Sequence, residues 1–122
     1  MTKQFPQDIK EPVILPFSID NFGLYALKIT ARCQSGLKNN QDQDLRIEID
    51  GMKFREIPSQ DKAQYNNIPP AWNGSQLKGL NKTIFFILAL NKGPHEVTLI
   101  PTNGAYVISF EVKPINDLQN IV

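Results

Sequence analysis

The sequence predicts an all-β protein: an antiparallel β-sandwich of seven or eight short strands. Three stretches carry that prediction. Residues 90–100 read as a strand end, a Gly-Pro turn and a new strand alternating apolar and polar side chains. Residues 23–32 and 44–51 repeat the alternation, and the second closes on Asp50-Gly51, a pair that tolerates the positive φ of a tight hairpin turn. No stretch of ten or more residues shows a helical stripe.

Taken in order, residues 1–12 are polar with two prolines and read as an N-terminal leader that pairs only loosely. Residues 13–19 form the first strand, with Pro16 placing it at an edge or a bulge. After the turn Asp20-Asn21-Phe22-Gly23, the residues Tyr25, Leu27, Ile29, Ala31 and Cys33 share one face, while Lys28, Thr30 and Arg32 share the other. Residues 35–43 are a polar loop. Leu45, Ile47 and Ile49 then alternate with Arg46, Glu48 and Asp50, and a return strand runs over 52–57 before Pro58. Residues 58–82 show no period and are too long for an ordinary structureless connection, so they are expected to be functional or to hide a short strand or turn, with a short strand expected near Gln76-Leu77-Lys78. The nearly continuous apolar run 83–90 predicts a central strand covered on both faces. The last strand puts Tyr106, Ile108, Phe110 and Val112 on one face, and a tail follows from 114 to 122. The domain is thus expected over 13–113.

Size and composition narrow the function. The chain has 122 residues, 41% hydrophobic and 20% charged, which suits one ordinary globular domain with a single core. A net charge of +1, with both signs interspersed, gives no basic face for nucleic acid. No apolar run reaches the roughly 20 residues of a membrane span. The N-terminus lacks a signal-peptide core, which predicts a cytoplasmic protein or a piece of a longer exported one. One cysteine and one histidine supply neither an internal disulfide nor a His/Cys zinc cage, and no cofactor is expected.

Three segments resemble the galactose-binding-like jelly-roll superfamily, which includes many carbohydrate-binding modules. They are the Gly-x-Tyr strand at 23–31, the strand ending in Asp-Gly at 44–51, and the strand–Gly–x–His–strand hairpin at 90–99. The resemblance covers residues 13–113 and implies a jelly-roll β-sandwich with a non-catalytic binding role, as in accessory domains of larger bacterial surface proteins. Its acidic calcium motif has no counterpart in 13–19, so calcium is not expected.

The candidate ligand site centres on Trp72, whose flat ring suits the apolar face of a sugar, with Asn73, Gln76 and Tyr65 from the same loop supplying polar contacts. Tyr106 and Asn103 flank the final turn and join the site if that turn lies at the same end. The competing assignment folds Trp72 inward to seal one end of the sandwich, leaves Asn103-Gly104 as turn chemistry, and sets Tyr106 half-buried on its strand. Cys33 and His95 offer a nucleophile and a base but read better as packing residues. Asp42, Asp44, Glu48, Asp50 and Glu56 read as a solvated face with cross-strand ion pairs rather than a catalytic set. The sequons Asn73-Gly74-Ser75 and Asn81-Lys82-Thr83 carry no weight without a signal peptide. The expected function is a non-catalytic module for a glycan. The alternative is a structural or protein–protein interaction module that positions a neighbouring domain or self-assembles.

Overall fold

The structure is a computed structural model that describes residues 5–53 and 71–115, excepting the side chains of Asn40 and Lys53. It is all-β. The elements in chain order are β1 (Gln7–Ile9), β2 (Val13–Ile19), β3 (Gly23–Arg32), a 3₁₀ turn (Lys38–Asn40), β4 (Asp44–Ile49), β5 (Met52–Lys53), β6 (Trp72–Asn73), a helical turn α1 (Gly74–Leu77), β7 (Asn81–Leu90), β8 (Gly93–Thr102) and β9 (Ala105–Pro114). They form two antiparallel sheets. One has the order β1-β9-β3-β7; the other has the order β2-β8-β4-β5, with β6 also paired to β4. No helix among the described residues is long and apolar enough to cross a membrane.

The alternation that predicted the strands is the alternation that builds the core. Leu27, Ile29 and Ala31 of β3, Leu45, Ile47 and Ile49 of β4, and Val97 and Leu99 of β8 are each at most 1% exposed. Fully burying an aliphatic side chain of this size contributes roughly 1.5–3 kcal/mol, so these positions fix register as well as stability. Asp50 and Gly51 both take positive φ (51° and 80°), as the β4–β5 hairpin requires. Pro16 sits on β2 at the edge of its sheet, where a missing N–H breaks no ladder.

Four expectations change. Gln7–Ile9, assigned to the leader, pairs with β9, and Ile9 is 3% exposed in the core. The run 83–90 belongs to β7 at the edge of the first sheet, beside β3 only, and its outward residues Thr83, Phe85, Ile87 and Ala89 are exposed. A continuous apolar run permits two covered faces; here only the inward set Ile84, Phe86, Leu88 and Leu90 packs into the core or against it. The short strand expected near Gln76 is a helical turn instead, stopped where Lys78 takes φ 50°, and the strand lies just before it at Trp72–Asn73. The last strand turns Tyr106 to the opposite face from Phe110 and Val112: the pairing of β3 with β9 slips between Thr30 and Ala31, and this bulge leaves Ile108 as the extra residue. Most of the return strand 52–57 lies outside the described residues.

Candidate functional site

The strand order assigns the loops to two ends. Gln34, Gln43, Trp72, α1 and Asn103 gather at one; the β2–β3 turn, Asp50, Asn91, His95 and Pro114 gather at the other.

At the first end Trp72 is fully buried. β6 ties its backbone to Leu45 of one sheet, while its Nε1–H donates to the Lys82 carbonyl of the other sheet at 2.9 Å. Its ring centroid lies 6.3 Å from that of Phe86. A ring with no exposed surface has no face to offer a sugar, so the stacking role expected of Trp72 gives way to sealing the core. Its neighbours are committed too. Asn73 caps α1, its Oδ1 accepting from Ser75 N–H at 2.9 Å and Ser75 Oγ at 2.6 Å. Asn103 (φ 60°) donates from Nδ2 to the Asp42 carbonyl at 2.9 Å, and its own carbonyl accepts from Gln43 Nε2 at 3.2 Å. Gln76 is exposed, and Tyr65 lies outside the described residues. Tyr106 stands on the outer face of the first sheet with the Arg32 guanidinium 4.3 Å above its ring, which occupies the face a sugar would need. The structure thus brings Trp72, Asn73, Gln76 and Asn103 to one end, and sets Trp72, Asn73 and Asn103 to holding loops together.

The other candidates are spread out. Cys33 is buried beyond one end of β3, where burial and then the Asp44 charge push its thiol up to about 12. His95 lies at the opposite end, separated by about the length of a ten-residue strand, roughly 30 Å. Asp42 accepts from the Gly36 amide at 2.9 Å and Asp44 from the Gly74 amide at 3.2 Å. Glu48 pairs across to Lys53 and Thr98, and Glu56 lies outside the described residues. Among the described residues no three His, Cys, Asp or Glu gather as a metal would need.

The second end is open. A cleft of about 540 Å³ lies between the β2–β3 turn and the end of β9, with Phe17, Asp20, Asn21, Phe22, Tyr25 and Pro114 on its walls. Tyr25 pins the turn, its hydroxyl donating to the Asn21 carbonyl at 2.6 Å. Phe22 at the tip is 70% exposed. Phe17 forms the floor side, its ring 6.2 Å from Phe110 and stacked at 5.6 Å on His95.

Behind Phe17, both nitrogens of His95 are engaged. Nδ1 lies 2.6 Å from Asp50 Oδ2 and Nε2 lies 2.7 Å from the Asn91 carbonyl. Asp50 Oδ1 also accepts from the Glu96 amide at 2.9 Å. The bond to Asn91 and then the bond to Asp50 raise His95 above the ordinary histidine value, with burial opposing and the Asp50 charge adding to the rise. Partial burial works to raise the Asp50 carboxyl. The bonds from His95 and from the Glu96 amide, with the imidazolium charge, hold it below the usual aspartate value.

Sequence reasoning read Asp20-Asn21-Phe22-Gly23 only as a turn and missed the cleft. The signal was the aromatic at the turn, a position where a large ring is left in solvent unless something covers it. Set against family models, curated proteins and solved structures, the chain matches none.

Proposed function

We propose that the chain is a non-catalytic binding module of the galactose-binding-like jelly-roll type, taking a carbohydrate in the cleft at the open end. The jelly-roll reading is supported by the path of the chain, which changes sheet at each step from β1 to β4 and again from β6 to β9. The single observation that carries the ligand reading is the cleft itself: an exposed Phe22 beside Asp20 and Asn21, whose side chains are committed to no bond among the described residues. An aromatic face with a few free polar groups is the usual form of a sugar site. Among the described residues Asp20 is the only charged one on its walls, which favours a neutral sugar over an anionic one. The resemblance adds the setting, an accessory domain of a larger bacterial surface protein.

The test is a panel of neutral mono- and oligosaccharides titrated into labelled protein and followed at the backbone amides. Shifts should cluster at residues 20–25 and 112–115, and Phe22→Ala or Asp20→Ala should remove them. Silence across the panel, or shifts clustered at the Trp72 end, would overturn the proposal.

One observation favours the second reading, a protein-interaction module. Phe85, Ile87 and Leu24 are 41%, 54% and 53% exposed on the outer face of the first sheet, in adjoining rows that run toward Phe22. Exposed apolar residues grouped in this way mark contact surfaces. Light scattering over a concentration series distinguishes self-assembly, which charging Phe85 or Ile87 should abolish.

A further inference from the structure

We propose that His95 is held as the imidazolium and acts as a proton-dependent latch on the open end, tying the β4–β5 turn to the β7–β8 turn and backing the Phe17 wall of the cleft. The argument is geometric. A neutral imidazole donates from one nitrogen and accepts at the other. The Asn91 carbonyl at 2.7 Å is an acceptor only, so Nε2 must carry a proton. The remaining partner, Asp50 Oδ2 at 2.6 Å, then needs a proton between it and Nδ1. Asp50 is in no position to keep that proton, because its other oxygen accepts from the Glu96 amide and favours the ionised carboxylate. The proton therefore belongs to the ring, and both nitrogens donate.

The latch joins three separate pieces of chain. Asp50 is the first of the two positive-φ residues at the β4–β5 turn, and its own N–H donates to the Glu96 carbonyl at 2.9 Å, so the turn hangs on the start of β8. Asn91 belongs to the connection between β7 and β8, and Phe17 faces His95 across the β2–β8 pair. Other charges near the ring are few among the described residues. β2 presents Phe17 and β9 presents Phe110, neither of which ionises in this range. Lys92 is exposed in the β7–β8 connection, the Glu96 side chain is exposed on the opposite face of β8, and Asp20 is exposed on the cleft wall. Asp50 is the charged group in contact. Loss of one ring proton turns a donor into a lone pair aimed at the Asp50 carboxylate or the Asn91 carbonyl. One of the two ties must then open, and Phe17 loses a fixed stacking partner.

The latch stands whether or not the cleft takes a sugar, and its test uses no ligand. Ring nitrogen and carbon resonances of His95 are followed by NMR from pH 6 to 10 in the whole chain. Both nitrogens should be protonated at pH 7, the ring should titrate above free histidine, and signals of the Phe17 ring and Glu96 amide should move with the same midpoint. In Asp50→Asn the midpoint should fall toward that of free histidine; in His95→Gln the movement of Phe17 and Glu96 should vanish. A neutral tautomer at pH 7, a midpoint at or below free histidine, or Phe17 and Glu96 signals indifferent to the titration would each overturn the proposal. Should either variant fail to fold, the wild-type titration decides alone.

Discussion

The two ends of the sandwich draw on similar residues, an aromatic with asparagines and an aspartate beside it, and use them in opposite ways. At one end Trp72 is buried, and Asn73, Asn103, Gln43 and Asp44 spend their polar groups on neighbouring backbone. At the other, Phe22 stands in solvent and, among the described residues, Asp20 and Asn21 keep their side chains uncommitted over a cleft. Residue type alone therefore does not mark a binding site. What separates a seal from a site is whether the polar groups around the ring already have partners, since a satisfied amide gains little from a ligand.

The largest expected effect falls on the sealed end. Trp72→Ala should lower stability by about 3–5 kcal/mol in urea denaturation, because it empties a buried site and leaves the Lys82 carbonyl without its indole donor. A loss under 1 kcal/mol would erase the contrast. Next is Gly74→Ala. A Cβ there would meet the Gln34 and Gln43 carbonyls at 2.2 and 2.3 Å, backbone atoms that cannot swing aside. Overpacking of this kind costs about 1–3 kcal/mol, and thermal melting measures it.

A smaller effect belongs to the open end and depends on pH. His95 has a raised folded value, so its contribution is complete below the ordinary histidine pKa and is lost as pH rises through the folded one. Asp50 has a lowered folded value, so its contribution is present above the ordinary aspartate pKa and is lost as pH falls through the folded one. Between those limits the pair should add on the order of 1 kcal/mol, held down by solvent screening at Asp50, whose side chain is 35% exposed. Urea midpoints of wild type and Asp50→Asn should converge outside that window and separate within it. The smallest effect is Phe22→Ala, expected to leave stability within about 0.5 kcal/mol while removing any sugar binding. If it unfolds the domain, Phe22 belongs with Trp72 and the two ends are alike.

What could be read from the chain follows the range of the forces involved. The strands at 23–32 and 44–49 and the Asp50-Gly51 turn depend on side-chain alternation and local φ, both written in neighbouring residues. The burial of Trp72 depends on β6 meeting Leu45 and on a carbonyl from the other sheet, which no local pattern records. The edge position of β7 was hidden because Phe85 and Ile87 are apolar yet exposed. The cleft joins a turn near residue 21 to a strand end near 114, so its two walls are unrelated in sequence. His95 looked like a packing residue, and only the three-way meeting with Asp50 and Asn91 shows its second engagement.

The docking of β1 carries a practical lesson for anyone shortening this protein. Trimming back to Val13, as the polar opening residues invite, would pull Ile9 out of the interior and strip β9 of its outer partner over Ala105 to Val107, leaving it paired with β3 alone. The bared rim would then offer unpaired amides and carbonyls to other molecules, so the trimmed form should clump more readily than the parent.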